Sequence, residues 1–413
     1  MGYDNCVLQD ICRLIVDCPH SSAKDEGAGY PLIRTPNVGR GRLILNGVQR
    51  VSRSIYLSRI FRATPRKGDL ILAREAPAGN VAIIDSDELV CLGQRTMLLR
   101  PDEKIVNPYF LAYYLNAPEQ RSRLLRVSNG ATVSHINVAD VRKFAISLPS
   151  RACQDKVANI LKSLDDAIAL NSRTNGYLEE LISAQCKHVL SGGVCNEKRA
   201  DNLFEIGIGK TPPRKEHEWF SNTHGENVIW LSIKDMASSG AYAFDSSEYL
   251  TQAAVQQKHV RKVPTGSVLL SFKLTIGRVK IAATDMTTNE AIACFSSDDA
   301  RKLSWLYPYL LNFDYSKLGN TSSIGTAVNS KTIKGMPIAM PVEKSLEEFY
   351  EFTKPLYQFM KSNQSETLRL QQLRDTLLPK LMSGEIDVSK VDLTQPNSHL
   401  HQFETSYRSK WGI

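Results

Sequence analysis

The sequence predicts an α+β protein that contains two mixed α/β domains, separated and followed by long helices. Short motifs recur at an offset of 192 residues: Leu148-Pro149-Ser150 becomes Met340-Pro341-Val342, and Leu190-Ser191-Gly192 becomes Met382-Ser383-Gly384. The stretches between these motifs have helical periodicity, whereas the stretches before them contain short apolar runs bounded by Gly, Pro and Asp. A fixed offset between equivalent motifs indicates an internal repeat.

The repeat divides the chain into five predicted segments. A chain of 413 residues is long enough for two to four domains of ordinary size. The segments are a first mixed domain at 1–149, a first long helix at 150–192, a second mixed domain at 193–341, a second long helix at 342–391 and a polar tail at 392–413.

The apolar residues of the two long helices alternate in steps of four and three, which is the signature of a coiled-coil seam. The seam has a polar interruption at Asn171 and again at its counterpart Asn363, and we expect these two residues to form a shared polar layer in which buried amides fix the helix register. Forty residues would make a rod of about 60 Å. The predicted seam consists of Val157, Leu161, Leu164, Ile168, Asn171, Leu178, Phe349, Leu356, Met360, Asn363 and Leu370.

The ends of the long helices carry recognisable signals. Ser150 is expected to cap the first helix, and Ser345 with Glu348 is expected to form a capping box at the start of the second. Pro355 is expected to kink the second helix or to split off its first turns.

The mixed domains contain matching strand-like and helix-like runs. The strand-like runs form pairs that are typical of hairpins. These pairs are 68–73 with 80–84 in the first domain and 266–271 with 278–282 in the second, and the short helices are expected at 108–115 and 304–311.

The charge of the chain is concentrated in one segment. The net charge is +8, with 42% hydrophobic and 23% charged residues, which is ordinary for a globular protein. Residues 39–74 hold nine basic residues against one acid, and eight of the nine are arginines. Arginine suits phosphate groups and guanine edges. The segment favours an anionic partner, and the alternative is a solvated basic face.

Several functional classes lack their sequence signals. No apolar run of about 18 residues exists, and the first residues do not resemble a secretory signal, so a cytoplasmic location is expected. The eight cysteines contain no C-x-x-C pair, and no metal site is expected. Gly209-Lys210-Thr211 is followed by two prolines where a phosphate-binding loop needs a helix. We therefore predict no catalytic residues.

The chain resembles the specificity subunits of type I restriction–modification systems. The resemblance rests on the alternating order of domains and helices, on ILKSLDDAIAL and the following Leu190-Ser191-Gly192, and on LRDTLLPKLMSGEIDV in the second half. Motifs inside the domains, at 68–81, 92–95, 271–277 and 288–292, add to it. It covers nearly the whole chain, to about residue 391.

The resemblance implies a non-catalytic subunit of a restriction endonuclease and adenine-N6 DNA methyltransferase complex. Each mixed domain would be a target-recognition domain that reads one half of a bipartite, asymmetric site in double-stranded DNA. The long helices would form an antiparallel coiled coil, related by a pseudo-twofold repeat, that sets the gap between the halves. They would dock two methyltransferase (modification) subunits and, through these, motor-nuclease (restriction) subunits. No cofactor would bind this chain, because S-adenosylmethionine, ATP and magnesium are expected on the partner subunits.

We expect basic and amide side chains on loops to contact the DNA. Two alternatives remain open: a coiled-coil scaffold whose domains bind other ligands, and a divergent DNA methyltransferase. The expected residues of the first domain are Arg34, Asn37, Arg40, Arg42, Arg74, Arg95 and His135, and those of the second are Lys210, Arg214, Lys234, Lys273, Asn289, Ser323 and Lys331.

Overall fold

The computed structural model of the chain describes residues 4–126, 135–192, 195–319 and 328–388. The chain divides into two compact units: Met1–Asp166 with Gln371–Ile413 (unit 1) and Ala167–Leu370 (unit 2). The division falls inside the two long helices, so each unit contains one mixed domain together with a part of each helix. The compact units therefore differ from the predicted sequence segments, and the predicted tail at 392–413 lies outside the described residues.

The mixed domain of unit 1 combines a five-stranded sheet with a three-stranded sheet. Its helices are α1 (Leu8–Ile11), α2 (Arg53–Arg59), α3 (Pro108–Asn116), α4 (Pro118–Arg126) and α5 (Val138–Arg142). Its strands are β1 (Asp4–Val7), β2 (Cys12–Asp17), β3 (Tyr30–Ile33), β4 (Gly41–Arg42), β5 (Arg50–Val51), β6 (Leu70–Ala73), β7 (Val81–Ile83), β8 (Cys91–Leu92), β9 (Thr96–Pro101) and β10 (Ala145–Leu148).

The strands of unit 1 follow the predicted apolar runs. The five-stranded sheet has the order β2-β9-β6-β7-β4, and the smaller sheet has the order β5-β3-β8. The predicted hairpin is confirmed, because β6 pairs antiparallel with β7 and Leu70 lies opposite Ile83. All four residues of β6 are buried. Such a strand, apolar on both faces, forms where helices or a second sheet cover the first.

The mixed domain of unit 2 repeats this architecture. Its helices are α7 (Gln252–Gln257), α8 (Ala300–Leu311) and α9 (Ser330–Gly335). Its strands are β11 (Cys195–Arg199), β12 (Glu205–Ile208), β13 (Phe220–Ser221), β14 (Val228–Leu231), β15 (Tyr242–Ala243), β16 (Tyr249–Leu250), β17 (Val268–Ser271), β18 (Val279–Ala282), β19 (Thr287–Thr288), β20 (Ile292–Ser296) and β21 (Pro337–Pro341).

The order of the strands confirms the internal repeat. The five-stranded sheet of unit 2 has the order β12-β20-β17-β18-β15, which matches the sheet of unit 1 strand for strand. The outer pairs also match, since β1 pairs antiparallel with β10 and β11 pairs antiparallel with β21. The small sheet of unit 2 is larger by one strand, with the order β13-β16-β14-β19.

The two long helices are α6 (Arg151–Ser191) and α10 (Glu343–Ser383), each of 41 residues. Two predictions about α10 are wrong. It begins at Glu343, so Ser345 lies inside its first turn rather than at its cap, and it is continuous through Pro355. Pro355 and Glu351 are both exposed, so water can satisfy the carbonyl that loses its partner. No helix in the described ranges is long and apolar enough to cross a membrane.

Within unit 2 the two helices pair antiparallel. The amide of Asn363 donates to Oδ1 of Asn175 at 3.0 Å, and Asn175 donates to the carbonyl of Met360 at 3.0 Å. Asn171 lies one turn before Asn175 in α6 and donates at 3.0 Å to Glu366, which lies further along α10 than Asn363. The polar layer is therefore Asn175 with Asn363, and the predicted layer of Asn171 with Asn363 is wrong. Along an antiparallel pair of helices, the residue number rises in one helix while it falls in the other. Asn171 and Asn363, which are equivalent in the repeat, therefore do not face each other.

The helix segments of unit 1 also pack together. Arg374 of α10 donates to Asp165 of α6 at 2.9 Å, and Val157 and Leu161 share a hydrophobic core with Leu381. The predicted seam positions are buried or partly buried in both units. Val157, Leu161, Phe349, Met360 and Asn363 are buried, whereas Leu164, Ile168, Asn171, Leu178, Leu356 and Leu370 are partly buried.

Candidate nucleic-acid interface

Two equivalent tight turns organise many of the predicted DNA-binding residues. The first turn (residues 74–79) joins β6 to β7, and the second turn (residues 272–277) joins β17 to β18. The same hydrogen bond closes both: Gly79 donates to the carbonyl of Ala73 at 2.8 Å, and Gly277 donates to the carbonyl of Ser271 at 3.1 Å.

The carboxylate of Glu75 is the centre of the first turn. It accepts from Nε of Arg95 at 2.9 Å and pairs with Nδ1 of His135. Nε2 of His135 lies 2.8 Å from Arg74, and because a guanidinium only donates, Nε2 must accept and Nδ1 must carry the proton. Arg74 also pairs with Asp17 and is only 6% exposed. Arg74 therefore has a structural role, whereas the side chain of Arg95 is 59% exposed and can reach a ligand.

A polar cavity of about 270 Å³ lies beside the first turn. The hydroxyl of Thr35 donates to the carbonyl of Ala76 at 3.1 Å, which places the exposed Arg34 next to the turn. A Cβ atom at Gly93 would lie 2.6 Å from Cγ of Arg34, so glycine is needed there for the arginine to pack. The cavity is lined by Ser22, Ala23, Leu32, Arg34, Thr35, Arg59, Gly93, Gln94 and Arg95.

Arg59 is a lining residue that the sequence analysis did not single out. Its guanidinium donates to the carbonyl of Leu92 at 2.9 Å and also to that of Ser21. Its position in the arginine-rich segment 39–74 was a signal that could have found it. The cavity thus has three arginines on its wall, which is a favourable electrostatic setting for a phosphate or a guanine edge.

Exposed lysines lie within the second turn and on a neighbouring loop. Lys273 lies within the turn and is exposed. Arg278 donates to the carbonyl of Ile233 at 2.7 Å, which ties the loop that carries the exposed Lys234 to the end of the turn. The structure thus brings Lys234 and Lys273 into one region.

Two more of the predicted residues reach the second turn through backbone hydrogen bonds. Val328 donates to the carbonyl of Phe272 at 3.2 Å, and α9 with the exposed Lys331 follows directly. Phe272 donates to the carbonyl of Ala291 at 2.9 Å, and the side chain of Asn289 accepts from the backbone of Ala291 at 3.1 Å. The side chain of Asn289 therefore holds the backbone segment that contacts the second turn.

Arg214 lies in an aromatic cluster on the small sheet of unit 2. Its guanidinium is 4.4 Å from the ring centroid of Phe220 and 4.6 Å from that of Trp230, and it pairs with Glu248 at 2.6 Å. Stacking on two rings holds the fork of the arginine in place. Sequence reasoning missed both rings, although the basic pair Arg214-Lys215 lies only a few residues before Phe220 and basic residues beside aromatic rings are a feature of nucleic-acid-binding surfaces.

Lys210, in the loop after β12, is positioned by the end of α7. Its ammonium donates to the carbonyl of Lys258 at 2.6 Å. Lys258 in turn pairs with Glu216 and lies over the ring of Trp219. Hydrogen bonds from Lys258 and Trp219 lower the pKa of Glu216, so its carboxylate keeps these side chains ordered.

The three other predicted residues of unit 1 are Arg42, Asn37 and Arg40. Arg42 pairs with Asp166 and, at 3.7 Å, with Asp85. The amide of Asn37 donates to the carbonyl of Ile44 at 3.1 Å. Arg40 lines a separate cavity of about 210 Å³ next to Arg374. These contacts give Arg42 and Asn37 structural roles.

The remaining predicted residue, Ser323, lies outside the described residues. Within the described ranges, no group of three or more His, Cys, Asp or Glu side chains could hold a metal ion.

Comparisons with known proteins cover most of the chain. Residues 2–180 and 195–372 each match the type I restriction modification DNA specificity domain. The HindI specificity subunit of Haemophilus influenzae is 23% identical over 404 residues, which cover 78% of this chain and 87% of that protein. The MjaIX specificity subunit of Methanocaldococcus jannaschii is 24% identical over 354 residues, and the match covers 79% of this chain and 79% of that protein. The crystal structure of the S subunit from M. genitalium shares the fold, with a TM-score of 0.56 at 13% identity, and the match covers 92% of this chain and 96% of that one.

Proposed function

We propose that the chain reads DNA for a methylating and restricting complex and does no chemistry itself, because it belongs to the family of type I restriction–modification specificity subunits. The observation that carries the proposal is the convergence of predicted basic residues on equivalent turns in both copies of the domain. Arg34 and Arg95 adjoin the first turn, and Lys234, Lys273 and Lys331 surround the second.

The proposed division of labour is one half-site for each mixed domain. Exposed lysines and arginines would contact phosphates, which supply affinity without sequence information. Side chains in the first and second turns would contact base edges, which supply specificity. Rigid turns between buried strands suit this task, because base readout needs side chains that are held in fixed positions.

The long helices are proposed to set the gap and to dock two methyltransferase subunits, with restriction subunits joined through these. One face of α6 supports the docking role. Leu170, Tyr177 and Leu181 are 64%, 64% and 46% exposed, and their spacing of seven and four places them on one side of the helix. Exposed apolar residues at such spacing are typical of a surface that a partner covers. S-adenosylmethionine is proposed to bind the methyltransferase subunits, and ATP and magnesium the restriction subunits.

Reconstitution of the complex tests the proposal. The purified chain alone should transfer no methyl group to DNA, and the chain together with its methyltransferase partner should methylate one bipartite sequence. Methyl transfer by the chain alone would favour a divergent methyltransferase instead.

The salt dependence of DNA binding separates a DNA reader from a scaffold that binds other ligands. With about six phosphate contacts, the log of the binding constant should fall against the log of the salt concentration with a slope near −5. A flat response would contradict DNA reading.

A further inference from the structure

Both turns hold a residue other than glycine in the left-handed region of backbone space. Ala76 of the first turn has a φ of 25°, and Leu274 of the second has a φ of 61°. The two residues are equivalent, because each stands three positions after the residue whose carbonyl accepts the closing hydrogen bond. Residues other than glycine rarely adopt a positive φ, and such conformations cluster at functional sites. The two domains differ in sequence here, yet both have a positive φ at this position.

The second turn keeps this conformation because it is tightly held. The hydroxyl of Ser271 donates to the carbonyl of Thr275 at 2.6 Å and accepts from the backbone of Arg278 at 3.1 Å. Ser271 and Phe272 are fully buried, so the base of the turn is anchored in the domain. The side chain at the tip therefore has a fixed direction.

The side chain at that tip is a leucine that the fold does not use. Leu274 is 79% exposed, more than any other large hydrophobic residue of the described chain. An exposed leucine on a rigid, strained turn contributes nothing to the core, and glycine would adopt the same φ without strain. Lys273 precedes it in the turn, and the loop that carries Lys234 is tied to the turn by Arg278. The surroundings of the leucine thus favour a polyanion.

We propose that Leu274 is a specificity-determining residue that makes an apolar contact with the C5-methyl group of a thymine in the major groove of the second half-site. The proposal rests on DNA reading as the proposed function. Among base edges in the major groove, only thymine presents a methyl group, and apolar side chains recognise it by contact. The lysines near the turn would hold the phosphates on either side. In the first turn, the equivalent position holds the smaller Ala76, whose side chain would reach less far toward the bases.

Thymine-to-uracil substitution isolates the methyl contact. The probe is a duplex that contains the complete site, with every thymine of the second half-site, in both strands, replaced by deoxyuridine. The wild-type complex should lose about fourfold in affinity, the equivalent of one buried methyl group. The complex with Leu274→Ala should bind the thymine and uracil duplexes equally.

Controls make the result decisive. Leu311→Ala changes another exposed leucine of the same domain. This variant should keep the wild-type ratio of the affinities for the thymine and uracil duplexes. Leu274→Gly should raise the thermal stability of the chain, because it relieves backbone strain. It should also bind the thymine and uracil duplexes with equal affinity. Both Leu274 variants should leave the first half-site unchanged.

Three results would overturn the inference: a second half-site without thymine, a wild-type ratio near one, or a wild-type ratio that persists in Leu274→Ala. In the last case, equal weakening of binding to both duplexes by Leu274→Ala would assign the leucine to a wedge between bases instead. Failure of DNA reading is distinguishable, because the wild-type complex would then select no bipartite site on unmodified DNA.

Discussion

At the scale of single residues, burial and hydrogen-bond partners distinguish residues that can contact DNA from residues that stabilise the domain. Arg34 and Arg74 both belong to the predicted set, yet Arg34 is exposed on a cavity wall whereas Arg74 is buried against Asp17 and His135. Sequence reasoning placed both arginines among the expected DNA contacts. It could not tell the two roles apart, because burial of a side chain depends on strands that are distant in sequence.

Arg34→Ala should weaken DNA binding without changing stability. An exposed arginine that contacts a base edge contributes about 1–3 kcal/mol, so the affinity for the first half-site should fall by about five- to 150-fold. Competition binding with duplexes altered in one half-site measures this loss. Arg53→Ala, an exposed arginine of α2, serves as the control. Equal loss of selectivity at both half-sites would contradict a role in the first domain alone.

Arg74→Ala should destabilise unit 1. Removal of the guanidinium leaves Asp17 partly buried without its partner and His135 without its donor, which costs about 3 kcal/mol. Hydrogen exchange of the strands β2 and β9 should increase, while that of β12 and β20 stays unchanged. Arg95→Ala removes a more exposed partner of Glu75 and should leave exchange near the wild-type rate. Wild-type exchange in the Arg74→Ala protein would show that the pair is dispensable.

Lys280 predicts a pH dependence of stability in unit 2. It is 5% exposed, donates to the carbonyls of Ser238 and Gly240, and burial lowers the pKa of its ammonium to about 8, although the carboxylate of Glu179 opposes the shift. In the unfolded chain this lysine releases its proton near pH 10.4. Between about pH 8 and pH 10.4 the unfolded state therefore binds more protons, and the free energy of unfolding rises with pH.

The comparison with Lys280→Met isolates this contribution, because methionine has no proton to release. The difference in unfolding free energy, wild type minus variant, should rise by about 3 kcal/mol across that interval. Urea titrations at pH 7.5, 9 and 10.5 measure it. A difference that stays constant with pH would mean that Lys280 keeps its ordinary pKa.

At the scale of elements, periodicity predicted the long helices well, but it could not predict which residues meet across them. The seam residues and the two 41-residue helices agree with the pattern of steps of four and three. The partner of Asn363 is Asn175 rather than Asn171, because pairing depends on the direction and offset of the second helix. Pro355 was expected to interrupt α10, and its exposed position explains why the helix continues.

Insertion of one helical turn tests the proposed gap-setting role of the helices. Four residues added at the level of Asn171 in α6 and at the level of Glu366 in α10 keep the antiparallel register, because these residues face each other. Since each residue adds 1.5 Å, the gap preferred by the complex should lengthen while both half-site sequences stay the same. Sequencing of methylated sites gives both quantities.

The same insertion in α6 alone is the matched control. It breaks the register of the Asn175–Asn363 layer and should lower thermal stability. Changed half-site sequences in the doubly inserted protein would contradict the assignment of gap length to the helices.

At the scale of the whole molecule, the repeat in the sequence predicts a repeat in the architecture. The two five-stranded sheets have the same strand order, and equivalent turns occupy the same place in each. The sequence could not predict how much the side-chain contacts of the equivalent turns differ between the two copies. Glu75 and Lys273 stand at equivalent positions with opposite charge, and the contacts of each became visible only in the fold.

This divergence predicts a DNA site whose halves differ. The first turn presents a glutamate with Arg95 beside a small alanine, and the second presents Lys273 beside an exposed leucine. Side chains of such different charge and size do not form the same contacts with base edges, so the two domains should select different sequences. Methylation sequencing of DNA treated with the complex should yield an asymmetric bipartite motif. Arg34→Ala should relax only one half of that motif, and Leu274→Ala only the other. A palindromic motif, or relaxation of both halves by either variant, would contradict independent reading by the two domains.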